Sequence, residues 1–141
     1  MLKIREQTIR IGLLIIALVL LLLLNSCADN SGKLVIEAQP SKNFEVDELI
    51  ETLHLNTSNY RDKVVVVRGV ISDINTLNNR NTIILRGEEQ SKTLLICDMQ
   101  KGQDSLIHSL KLGDTTTIKG ILKGSLKDVI ILHCVISNHI N

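Results

Sequence analysis

Aromatic side chains are almost missing from this chain: Phe44 and Tyr60 are the one phenylalanine and the one tyrosine, and there is no tryptophan in 141 residues. Proteins that grip single-stranded nucleic acid stack bases on such rings, at about 1–3 kcal/mol per base. A surplus of positive charge is missing too. Of 16 basic and 15 acidic residues, Lys3, Arg5, Arg10 and Glu6 fall within residues 1–27, which leaves 13 against 14 and a net of −1 beyond that point. Polyanion binders draw their affinity from neutralised phosphates, so nucleic acid is the disfavoured partner. Catalytic patterns are also lacking. Ser72, Ser105 and Ser125 have no GxSxG context, and no CxxC pair occurs among the three cysteines. His133 and His139 are six apart while His54 and His108 fall in separate helical segments, so no pair has metal-ligand spacing. Asp73, Asp98, Asp114 and Asp128 sit at strand ends or turns, where carboxylates cap backbone groups. The expectation is a non-catalytic protein with no metal and no cofactor.

What the chain does have begins at its N-terminus. A basic head (Lys3, Arg5, Arg10) runs into 14 uninterrupted apolar or glycine positions, Ile11 to Leu24, that stop at Asn25-Ser26-Cys27. A helix needs about 18–20 apolar residues to cross hydrocarbon, whereas a run of this length suits the centre of a secretory signal. The small polar pair before Cys27 resembles a bacterial lipobox, which implies cleavage before the cysteine and a covalent lipid, such as palmitate, on its sulfur. Two alternatives stay open. An uncleaved anchor would have to extend into Arg10 on one side or Asn25, Ser26, Asp29 and Asn30 on the other; simple secretion needs no lipid. With acyl chains worth about 0.8 kcal/mol per buried methylene, a lipid on Cys27 gives a cell-envelope protein, membrane-anchored and facing the periplasm or the outer-membrane surface.

The expected organisation is therefore a signal peptide over residues 1–26, a lipidated cysteine with a flexible tether over 27–43, and a folded domain over 44–141. The tether reading rests on Asp29, Asn30, Ser31, Gly32 and Lys33 and on the sole proline, Pro40. Phe44 to Leu55 spaces Val46, Leu49, Ile50 and Leu53 along one helical face, with acids Glu45, Asp47 and Glu48 at its start. Phe44 is expected to staple that helix, and Tyr60 to pack where it meets the rest. Strands follow at Lys63–Ile74, with a bend or bulge at Gly69, then at Thr82–Arg86 and Thr93–Met99; a short helix at Gln103–Leu110 precedes strands at Thr115–Leu122 and Val129–Ser137. Polar turns are expected at Asn75–Asn81 and Lys123–Asp128.

Three strands, one helix and two strands are the order of a five-stranded OB-fold barrel, here with a leading amphipathic helix. At this point the chain resembles the tRNA_anti-like family of OB-fold bacterial lipoproteins. The likeness runs from Val46 to Ser137 and is carried by Tyr60-Arg61-Asp62-Lys63-Val64-Val65-Val66-Val67-Arg68-Gly69-Val70-Ile71, Leu95-Ile96-Cys97-Asp98, Leu110 through Gly120, and Asp128 through Ile136. These are signatures of shape and carry no catalytic motif.

Alternation then assigns faces. With Asp98 outward, Leu95, Cys97 and Met99 point inward; with His133 outward, Ile130, Leu132, Cys134 and Ile136 do. Cys97 and Cys134 then share the inner face of adjacent strands. Export to an oxidising compartment favours a disulfide between them, worth about 3–4 kcal/mol in the chain-entropy picture; two reduced core thiols are the alternative. The outer face of the second and third strands offers Ile84, Leu94 and Ile96, with Arg80, Arg86 and Lys92 near it. The groove between the turns Asn75–Asn81 and Lys123–Asp128 is the expected seat of a glycan fragment, peptide or partner protein; a contiguous Ile/Leu patch on the outer face favours a protein partner, and convergence of the three cations in one groove favours a polyanion.

Overall fold

The computed structural model describes residues 2–23, 31–55, 59–88 and 92–137, so Cys27 and His139 lie outside the described residues. It divides into two units, Met1–Asn30 and Ser31–Asn141. The first holds helix α1 (Leu2–Leu23). Among the described residues no helix is long and apolar enough to cross a membrane.

The second unit is mainly β. Its elements are α2 (Ser31–Glu37), β1 (Asn43–Glu45), α3 (Val46–Leu55), β2 (Val64–Leu77), β3 (Arg80–Arg86), β4 (Leu95–Met99), α4 (Asp104–Ser109), β5 (Thr115–Ser125) and β6 (Val129–Ile136). The sheet order β1-β2-β3-β4-β6-β5, with β5 returning to β2, closes five strands into the expected OB barrel. All of its neighbouring strand pairs are antiparallel except β4–β6. One long strand serves both sides of the seam: Val64–Val70 of β2 pairs with β5, and Val70–Leu77 with β3. The edge that this sharp coiling leaves open beside Val66–Arg68 is taken by β1 in parallel.

The core follows from strand alternation. Val65, Val67 and Ile71 of β2, Ile83 and Leu85 of β3, Leu95, Cys97 and Met99 of β4, and Ile118 and Leu122 of β5 form one buried cluster. Helix α3 adds Val46, Leu49, Ile50 and Leu53 to it, and α4 adds Ile107. Gly69 lies against α3: a Cβ there would collide with Val46 and crowd the Arg86 carbonyl. The two aromatics meet edge to face, with ring centroids 5.2 Å apart, joining β1 to the segment before β2.

Several boundaries depart from the sequence reading. The bulge in β2 falls between Ile71 and Asp73 instead of at Gly69. The Asn75–Asn81 turn shrinks to Asn78 and Asn79, both at positive φ (52° and 59°), the two-residue turn that matches the twist of a hairpin. The segment expected as a tether is built into the fold from Ser31 onward: α2 packs on β5 and β6 with Val35 fully buried. Phe44 belongs to β1, so α3 begins at Val46. In β6 the inward set is Val129, Ile131 and Cys134, with Ile130 exposed and Leu132 half-buried. The cause is His133, at φ 54°, which inserts a residue so that Cys97 and Met99 pair with Ile131 and Cys134. One added residue reverses the phase of everything on one side of it.

Candidate binding face

The outer surface of β3, β4 and β6 carries the face expected from the sequence, and extends it. Register places Ile84 beside Ile96 and Ile96 beside Ile130. Each sits between inward neighbours (Ile83 and Leu85, Leu95 and Cys97, Val129 and Ile131), so alternation turns all three to the outside. Ile130 is 36% exposed, and Ile84 and Ile96 are half-buried. Sequence reasoning assigned it inward, because the bulge at His133 leaves no trace in the apolar pattern. Leu94 lies at the rim, its N–H donating to Asp128 Oδ1 at 3.0 Å while its carbonyl accepts the Val129 N–H at 2.9 Å. The last residue of β2 and the turn leading into β6 each expose a leucine, Leu77 at 72% and Leu126 at 96%.

The three cations do not converge. Arg80 and Arg86 stand at opposite ends of β3, six strand steps or about 20 Å apart. Arg80 is also engaged: its Nε and Nη2 donate to the two carboxylate oxygens of Asp98 at 2.7 and 2.8 Å. Asp98 raises the proton affinity of the Arg80 guanidinium still further, first through that hydrogen bond and then through its charge. Arg86 reaches the Gly87 carbonyl at 3.4 Å, and Lys92 is exposed beyond that same end of the strand. Neither aromatic is on this face, since Phe44 is buried in β1 and Tyr60 packs against the core.

Cys97 and Cys134 are brought together inside the barrel, both fully buried and both free thiols in this structure. Burial pushes the Cys134 thiol well above its ordinary range, and the neighbouring Cys97 adds to the shift. The Cys134 thiol donates to the Ile131 carbonyl at 3.4 Å. Held protonated, it is a poor nucleophile and a poor metal ligand. Among the described residues no group of three or more His, Cys, Asp or Glu side chains could hold a metal ion.

The end of the β4–β6 seam is finished by two glutamines. Beyond Met99 no strand residue remains to pair with β6, and the Gln100 N–H donates to the Cys134 carbonyl at 2.9 Å while its side-chain amide donates to the His133 carbonyl at 2.8 Å. Gln103 then acts as a substitute strand, donating from Nε2 to the Cys134 carbonyl and accepting the Ile136 N–H at Oε1, both at 2.8 Å.

Comparison with known proteins agrees with this architecture. The family described as tRNA_anti-like matches residues 1–136. A solved lipoprotein from Klebsiella pneumoniae subsp. pneumoniae MGH 78578, provisionally named as nucleic acid-binding, is 21% identical, with 80% of this chain and 100% of that one covered at a TM-score of 0.56. The OBody AM1L10, solved bound to hen egg-white lysozyme, is 22% identical over 59% of this chain and 87% of its own, at a TM-score of 0.46. At 21% identity the likeness to the lipoprotein is one of fold. No curated protein sequence matches.

Proposed function

The chain belongs to the tRNA_anti-like family, and from that membership and the face described above we propose that it is a lipid-anchored, non-catalytic interaction module of the cell envelope. Cys27 carries the lipid, and the outer face of β3, β4 and β6 takes a protein or peptide partner. The observation that carries the reading is the Ile84–Ile96–Ile130 row, three branched apolar side chains in register across three strands. Contiguous apolar surface of this kind is what partners bury. The anchor is supported by the apolar run ending at Asn25-Ser26-Cys27 and by a fold neighbour that is itself a lipoprotein.

A nucleic-acid reading has less to stand on. Stacking rings are absent from the face, the domain beyond Cys27 is close to neutral, and the strongest cation of the face is spent on Asp98. The test is capture from envelope extract by the processed protein, with labelled single-stranded RNA and DNA titrated in parallel near physiological salt. Capture of one partner is expected to be lost in Ile96→Glu and Ile84→Glu and kept in Leu112→Glu, an exposed position away from the row. Tight, salt-dependent oligonucleotide binding that survives Ile96→Glu would overturn the proposal, and selective retention of envelope glycan would change the ligand class.

A further inference from the structure

The segment that joins the barrel to Cys27 is a fixed part of the barrel. Val35 of α2 is 0% exposed, and it stands outside the interior cluster, against the outer side of β5 and β6. Lys119 Nζ of β5 donates to the Ile36 carbonyl at 3.0 Å. Just beyond α2, the Ser41 N–H donates to the Val64 carbonyl of β2 at 2.8 Å. Only residues 28–30 therefore separate Cys27 from the docked helix. Four Cα-to-Cα steps reach at most about 14 Å, while the headgroup layer on one side of a bilayer is about 5–8 Å thick.

From this short reach we infer that the α2 side of the barrel seats directly on the lipid surface, an inference that rests on lipidation of Cys27. The exposed sides of α2 present what an interfacial contact uses. Leu34 and Ile36 are 62% and 59% exposed, about 100° to either side of the docked Val35, with Lys33 exposed beside Leu34 and Glu37 exposed beside Ile36. Apolar side chains at the headgroup boundary with a lysine directed at phosphates are the pattern of a peripheral membrane contact. The seat also orients the molecule. In the five-stranded ring the neighbours of β5 and β6, on which α2 packs, are β2 and β4, which leaves β3 as the strand farthest round from the helix. A barrel resting on its α2 side turns the Ile84 end of the row away from the bilayer, toward partners, and leaves Ile130 of β6 nearest to it.

The test uses the full processed lipoprotein in vesicles of phosphatidylethanolamine and phosphatidylglycerol, with a nitroxide at Leu34→Cys or at Leu77→Cys; the native Cys97 and Cys134 are buried. Collision with oxygen, which concentrates in lipid, is compared with collision with a water-soluble nickel chelate. The oxygen-to-nickel ratio at position 34 is expected to be several-fold above that at 77. Equal, water-like ratios at both positions in protein whose Cys27 is acylated by mass spectrometry would overturn the seat and leave the lipoprotein reading standing. An unmodified Cys27 in the same spectra would overturn both.

Discussion

Gly120 shows how little room single residues leave in this barrel. A Cβ at that position would meet Ile131 Cγ2 at 2.5 Å, Cys134 Sγ at 2.8 Å and the Leu132 carbonyl at 3.0 Å. The obstacles come from β6, one of them rigid backbone, so Gly120→Ala cannot be absorbed by a rotamer change alone. Overpacking of this kind costs about 1–3 kcal/mol, and urea unfolding is expected to show it as a lower midpoint with an unchanged slope. An unaltered midpoint would mean that β6 gives way locally. The same crowding governs the thiols. Cys134 is buried beside Cys97 with its proton held firmly, so exchange with an outside disulfide is slow once the barrel has closed. A 97–134 bond is proposed to form during export, before β6 docks, and to stabilise by about 3–4 kcal/mol through the 37-residue separation. Non-reducing mass mapping of protein taken from the envelope should then find the linked peptides. Two thiols that alkylate only after unfolding would remove the bond and leave the pair as small core hydrophobes.

Among the elements, the β4–β6 seam is the most exposed to damage. It is the one parallel pairing within the closed ring, it is interrupted by the His133 bulge, and it is finished by side chains in place of a strand. Gln103→Ala removes a donor to the Cys134 carbonyl and the acceptor of the Ile136 N–H. The Cys134 carbonyl keeps the Gln100 N–H, but the part-buried Ile136 N–H loses its acceptor, which costs about 1–3 kcal/mol, and amide exchange should rise first at Ile136, ahead of β2 and β3. Uniform exchange across the sheet would show that the seam is not a separate weak point. This region also marks where sequence reasoning stops. The strand order was legible because runs such as Val64–Val67 and Thr115–Leu122 declare themselves by β-branched density and alternation. The outward phase of Ile84 and Ile96 was legible for the same reason. Ile130 was not, because a bulge is set by backbone geometry and reverses a phase that alternation assumes to be constant. α2 and β1 escaped as well: seven and three residues are too short to show a period, and both exist because an outer face and an open edge of the finished barrel are there to receive them.

For the whole molecule, the question is how much of the attachment belongs to protein and how much to lipid. Burying Leu34 and Ile36 completely would contribute at most about 3–6 kcal/mol, and an interfacial seat buries them only in part. A single myristoyl chain gives marginal, reversible binding, and durable anchoring takes more than one such signal. The α2 side therefore orients the barrel without being able to hold it, and among the described residues no helix is long and apolar enough to cross a membrane. Cys27→Ala is expected to move the protein from the membrane fraction to the soluble fraction, or to leave it unprocessed with residues 1–26 still attached; fractionation with mass measurement of the N-terminus separates the two. Normally processed Cys27→Ala protein that stays with membranes through a high-salt wash would show that contacts of the folded domain carry the attachment. The lipid on Cys27 would then lose its place in the proposed function.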